Sequence, residues 1–154
     1  MKQIFIFRKA HAAVILLCCL MAFSSAMAQQ MPRRNVLRET NNEFFKTEEA
    51  RRIGNQVLAF QRCTGGWPKN IDMTQKMSNE ELAQILKEKL RRDDSTIDNN
   101  ATTMQMIYLA RLYRQTKDVR YRDAFRLAVE YLLSGQYENG GWPQFWPEMR
   151  GYQL

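Results

Sequence analysis

Histidine is almost missing from this chain: its 154 residues contain one, His11. Cysteine is nearly as scarce, with Cys18, Cys19 and Cys63. Because His11, Cys18 and Cys19 all fall within residues 1–28, residues 29–154 keep no histidine and a single thiol. That excludes a Ser-His triad, a Cys-His dyad, His-ligated zinc and an intrachain disulfide from the main body. The lone Cys63 reads as a buried, unreactive thiol. Strand-like alternation over five or more residues is also missing, which leaves helices as the regular structure. No apolar run reaches the ~20 residues of a membrane span; the longest unbroken one is Ala12 to Phe23. Charge is not of one sign, 23 Lys+Arg standing against 16 Asp+Glu for a net +7. Lys2, Arg8 and Lys9 have no acid near them, so residues 29–154 carry +4. That balance permits an acidic ligand without requiring one.

What is present first is an address. Lys2, Arg8 and Lys9 precede the apolar run, and Ser24, Ser25 and the small-x-small triplet Ala26-Met27-Ala28 follow it. This is the layout of a secretory signal peptide over 1–28, with cleavage expected after Ala28 and a secreted, periplasmic or extracellular, product. Residues 29–43 are polar and read as a flexible lead. The domain proper is expected over 44–154, about the size of one ordinary core.

Four helices are signalled. Thr47 can cap the first, with Glu48 and Glu49 suiting its positive end and Ala50, Ile53, Val57 and Phe60 at helical spacing. Ser78-Asn79-Glu80-Glu81 fits a capping box, followed by Leu82, Ile85, Leu86 and Leu90 on one face. A third helix is expected from Asp98–Asn100 through Met104, Ile107, Leu109 and Leu112. The fourth covers about 120–136, with Tyr121, Phe125, Ala128, Val129 and Leu132 inward. One repeat organises them: residues 61–68 (QRCTGGWP) match residues 136–143 (QYENGGWP) at an offset of 75 residues. In both copies a helix ends, a Gly pair follows and Trp-Pro forbids continuation. The class is all-α, with helical hairpins set around an axis and their turns gathered at one end.

Those turns are where chemistry is expected. Trp67, Trp142, Phe145 and Trp146 are either hairpin cement or platforms for sugar rings. Lys69 and Asn70 stand where the second copy has Gln144 and Phe145, a break in the repeat that a function acquired by one copy would produce. The stretch from Asp93 to Thr103 sets Asp98 beside Asn99 and Asn100 at a helix start. Those residues suit either plain capping or a hard cation that seeks oxygen. The spacing is not that of an EF-hand. Lys and Arg along the later helices read as solvated faces.

Residues 64–70 (TGGWPKN), 96–99 (TIDN) with Ala101-Thr102, 139–145 (NGGWPQF) and Arg150-Gly151-Tyr152 occur in that order. Together they resemble the helical pectate lyases, polysaccharide lyase family ten, from about Phe44 to Tyr152. The resemblance implies an α/α toroid, secretion and calcium-assisted β-elimination of polygalacturonate, an acidic plant polysaccharide. It implies no nucleic-acid partner and no membrane association once the signal is removed. On the same footing Asp98 matches a carboxylate at the calcium and substrate site. Asn99, Lys69 and Asn70 are matched to substrate contact, with Trp67 and Trp142 as candidate stacking residues. The family's base is an arginine, which needs no histidine.

Two departures stand out. Asn100 replaces the family's usual Gly, and Gly151-Tyr152 is not followed by the family's further carboxylate segment and arginine base. The expectation is therefore the N-terminal part of a catalytic domain, inactive alone, with its base beyond Leu154. A non-catalytic helical carbohydrate-binding or assembly module is the alternative. The Gln…Gly-Gly-Trp repeats also occur in the α/α toroids of terpene cyclases, but the acidic motifs of those enzymes are not found here.

Overall fold

The computed structural model describes residues 35–151. The segment 1–28, the first residues of the lead, and Tyr152, Gln153 and Leu154 lie outside the described residues. The folded unit begins at Val36, earlier than the Phe44 boundary expected from composition. A 3-10 turn at Val36–Arg38 buries Leu37 in the core. The guanidinium groups of Arg111 and Arg114 then hold the strand of chain behind it, through Glu39 O at 2.6 Å and Asn42 Oδ1 at 2.5 Å. Residues 36–43 are thus packed structure, not flexible lead, because one buried leucine and two long cations on a helix tie them down.

Helix α1 spans Glu48–Phe60, started by Thr47, whose hydroxyl accepts from Ala50 N at 3.2 Å. Ala50, Ile53, Val57 and Phe60 are buried, as the spacing predicts. Helix α2, Asn79–Lys87, opens on a complete capping box: Glu81 N donates to Ser78 Oγ and Ser78 N to Glu81 Oε2. It contributes little to the core. Ile85 packs against it, whereas Leu86 and Leu90 are 47% and 79% exposed, so the expected apolar face is only half used. Helix α3, Thr103–Thr116, and helix α4, Val119–Gly135, form a hairpin across Lys117 and Asp118. Tyr108, Leu109 and Leu112 of α3 are fully buried, with Tyr121, Ala124, Ala128 and Tyr131 of α4. Among the described residues there is no strand; a single bridge pairs Trp67 with Thr96.

The 75-residue repeat is reproduced bond for bond. Arg62 N donates to Gly66 O and Tyr137 N to Gly141 O, at 2.9 and 2.8 Å. Gly65 N closes on Arg62 O and Gly140 N on Tyr137 O, at 3.0 and 2.9 Å. The Gln61 and Gln136 side chains donate to Gly65 O and Gly140 O. Gly65 and Gly140 take φ of +93° and +86°, open to glycine and costly for other residues. Each tryptophan finishes the helix behind it. Trp67 Nε1 donates to Val57 O at 2.7 Å and Trp142 Nε1 to Leu132 O at 2.8 Å, supplying carbonyls that the helix end leaves without a partner.

Burial separates the copies. Trp67 is fully buried and Trp142 only half-buried. Helix α4 lies over the first turn, where a Cβ at Gly65 would run into Leu127 O, and Gln61 also donates to Ala124 O at 2.9 Å. Nothing lies within 4 Å of a Cβ built at Gly140.

Candidate functional site

The segment from Asp93 to Thr102 crosses the mouth of the first turn and is pinned at three places. At its start Arg62, itself buried, grips Asp94 with Nε and Nη2, the shorter bond being 2.7 Å. In the middle Thr96 N donates to Trp67 O at 3.2 Å. At its end the fully buried Thr102 uses one hydroxyl twice, accepting from Trp67 N at 2.9 Å and donating to Thr96 O at 2.8 Å. Between these pins the backbone is unusual. Asn99, Asn100 and Thr102 have φ of +54°, +62° and +62°. Asn accommodates the left-handed region comparatively well, which accounts for an Asn at 100 where the resembling family has Gly. A β-branched residue there is strained, and the two buried hydrogen bonds of Thr102 hold it in place.

This path corrects the expectation of a helix running from Asp98. Asp98–Asn100 is a 3-10 turn and α3 starts only at Thr103. Neither Asp98 nor Asn99 caps it. The Asp98 carboxylate points away, into an assembly of side chains from both repeat copies. Lys69 Nζ donates to Asp98 Oδ2 at 2.5 Å and Gln144 Nε2 to the same oxygen at 2.9 Å. Beside them Asn99 Nδ2 donates to Asn70 Oδ1 at 3.0 Å, with Asn70 also at positive φ, +63°. The ring of Phe145 lies 5.2 Å from Lys69 Nζ and 4.7 Å from the Arg150 guanidinium, within cation–π range. The Lys69 hydrogen bond, aided by that from Gln144, holds the Asp98 carboxyl below the usual carboxylate range. It therefore stays ionised while ordinary carboxylates protonate.

Lys69, Asn70, Asp98 and Asn99 are thus brought together. Trp67 is not available to a ligand: its ring is buried and its N–H is engaged. Trp142 is half-buried with its N–H likewise engaged, which makes it hairpin cement first. Gln144, Phe145 and Arg150 complete the group, and the offset of 75 that aligns Lys69 with Gln144 is the sequence signal that points to the first of them. Cys63 is exposed, not buried, since Arg62 turns inward on the same tight turn and Cys63 outward. A cleft of about 260 Å³ opens beside Asn100, with Arg38 and Arg111 among its walls.

The donor set does not fit calcium by itself. Among the described residues no three His, Cys, Asp or Glu side chains converge as metal ligands. Asp98 brings one carboxylate, with a lysine already on one of its oxygens, whereas calcium takes six to eight oxygens. Calcium ligation by Asp98 would need further oxygens beside its one carboxylate. What they do form is a polar array with one anion, two cations, three amides and one aromatic face, suited to a polyhydroxylated acid.

Comparison with known proteins gives this array a setting. The pectic acid lyase family matches residues 61–154. The family 10 polysaccharide lyase from Cellvibrio cellulosa superposes with a TM-score of 0.55 at 36% identity, covering 72% of this chain and 32% of that one. A mutant of that lyase in complex with trigalacturonic acid gives 0.54 at 34%, with the same coverage. The chain thus spans about a third of the length of the solved lyases it matches. No curated protein matches it. The likeness places the helical hairpins described above in the all-α toroid of the family 10 lyases, and by sequence and fold together the chain belongs to the pectic acid lyase family.

Proposed function

We propose that the Lys69–Asn70–Asp98–Asn99 group binds galacturonate units of pectate and serves in β-elimination of that polymer. The observation that carries this reading is the convergence of Lys69 and Gln144 on Asp98, at the positions where the chain resembles the family. A relative solved with trigalacturonic acid supports it. In the elimination a base removes the proton α to the uronate carboxylate, a carbon–carbon double bond forms, and the glycosidic oxygen leaves and is protonated. Negative charge grows on the uronate carboxylate as the proton departs. The Lys69 ammonium, oriented by Asp98, and the Asn70 and Asn99 amides are the groups here that could stabilise it.

None of these groups is a base suited to the proton transfer. Lys69 is an ammonium ion paired with Asp98, the Asp98 carboxylate is too weakly basic, and the amides do not titrate. We therefore assign binding, not proton abstraction, to these four residues. Calorimetry with trigalacturonate in chelator is expected to show binding that Lys69→Ala weakens about tenfold, the worth of one charge-assisted hydrogen bond at a half-open site. No unsaturated product is expected by ultraviolet absorbance. Equal affinity of the wild type and Lys69→Ala would remove the binding assignment, and robust product formation would remove the division between binding and proton abstraction.

Export through segment 1–28 belongs to the same proposal. The exported chain is expected to begin at Gln29, which N-terminal sequencing checks; retention of Met1 on an exported product would refute it.

A further inference from the structure

Position 144 is the copy-two counterpart of position 69, and both side chains end on the same oxygen of Asp98. Gln144 is joined to Asp98 a second time through the backbone. Asp98 N donates to Thr96 Oγ1 at 3.0 Å, and that hydroxyl donates to Gln144 O. The result is a closed ring: Asp98 N–H to the Thr96 hydroxyl, that hydroxyl to the Gln144 carbonyl, and the Gln144 amide back to Asp98 Oδ2. The far side of the same amide is also confined. A Cβ at Gly151, whose φ is +75°, would run into Gln144 Oε1. A neutral amide closes this ring without adding charge. A lysine there would set two cations on one carboxylate, and an acid would repel it.

We infer that Gln144 is a positioning residue of the galacturonate site, acting through Asp98 to hold the Lys69 ammonium in one place. The inference rests on the binding role proposed above. With the donor at 144 removed, Asp98 and Lys69 swing as a pair, and a ligand must order both before it can use either.

The test is trigalacturonate calorimetry on the full chain. Gln144→Met, which keeps the side-chain length and removes the donor, is expected to weaken binding about fivefold with the melting temperature little changed. Gly151→Ala, which displaces the amide without removing it, is expected to act in the same direction. The decisive arm is a double-mutant cycle. On an Asp98→Asn background Gln144→Met is expected to change affinity less than about twofold, because the residue through which it acts is altered.

An unchanged affinity in Gln144→Met, or an equal loss with and without Asp98, would overturn the inference. The Lys69→Ala arm separates the two claims. If Lys69→Ala weakens binding and Gln144→Met does not, only the positioning role fails. If the wild type binds no trigalacturonate, both fail.

Discussion

Trp67→Ala is expected to cost about 4 kcal/mol of folding stability, within the range for truncating a buried aromatic. Two losses combine. The ring is fully enclosed, so its removal leaves a cavity in the core cluster to which Trp67 belongs with Val57, Phe60 and Met73. The indole N–H also leaves Val57 O, a last-turn carbonyl of α1 whose usual helical donor, Gln61 N, bonds Leu58 O instead. An orphaned buried carbonyl adds its own desolvation cost. Since whole domains are stable by roughly 5–15 kcal/mol, the variant should be close to unfolded. The same truncation at Trp142, which makes the same bond but is half-buried, is expected to cost about 1–2 kcal/mol. Urea unfolding of both variants checks the contrast. Equal losses would mean that the two turns contribute alike despite their different cover.

Arg62→Ala is the second large effect, expected at about 3 kcal/mol, the low end for breaking a buried ion pair by removing one partner. Asp94 would lose both its bonds to Arg62 and retain the longer contact with Arg91 Nε, 3.6 Å away. Arg62→Lys should recover little, because a single ammonium does not reproduce the fork that meets both carboxylate oxygens. The loss should also travel along the chain. Asp94 begins the segment that delivers Asp98, so amide exchange at Thr96–Asp98 is expected to accelerate together with the fall in global stability. A loss below about 1 kcal/mol, typical of an exposed pair, would show that the Arg62–Asp94 contact is not structural.

The parts legible in the sequence were those whose causes lie within a few residues. Thr47 and Ser78 cap their helices by accepting from the amide three positions on, and Glu81 accepts from the amide three positions back, so each needs only its near neighbours. The Gly-Gly-Trp-Pro turns were legible for the same reason, as were the buried stripes Ala50–Ile53–Val57–Phe60 on α1 and Tyr121–Ala128 on α4. Where local signals compete, the sequence misled. Asp98 and Asn99 have the composition of a helix cap, yet their side chains bond Lys69, Gln144 and Asn70, and the helix waits until Thr103. Leu86 on α2 and Leu90 in the 3-10 turn Glu88–Leu90 after it continue an apolar spacing along a segment that meets too little of the core to cover them. Residues 36–43 are mostly polar in composition, and Val36, Leu37 and two arginines far along the chain hold them in the fold.

From its residues alone the chain determined an all-α hairpin architecture, a 75-residue repeat and a short set of positions that resemble a lyase family. Those rest on spacing, capping and turn chemistry, which act locally. Only the tertiary structure decided that Trp67 is sealed while Trp142 is half-open, since identical turns differ by whether α4 lies over them. It alone decided that Asp98 is gripped from 29 residues upstream and 46 downstream, at matching places in the two copies. Contacts at such separations depend on how the hairpins pack together, and no local pattern in the chain encodes them.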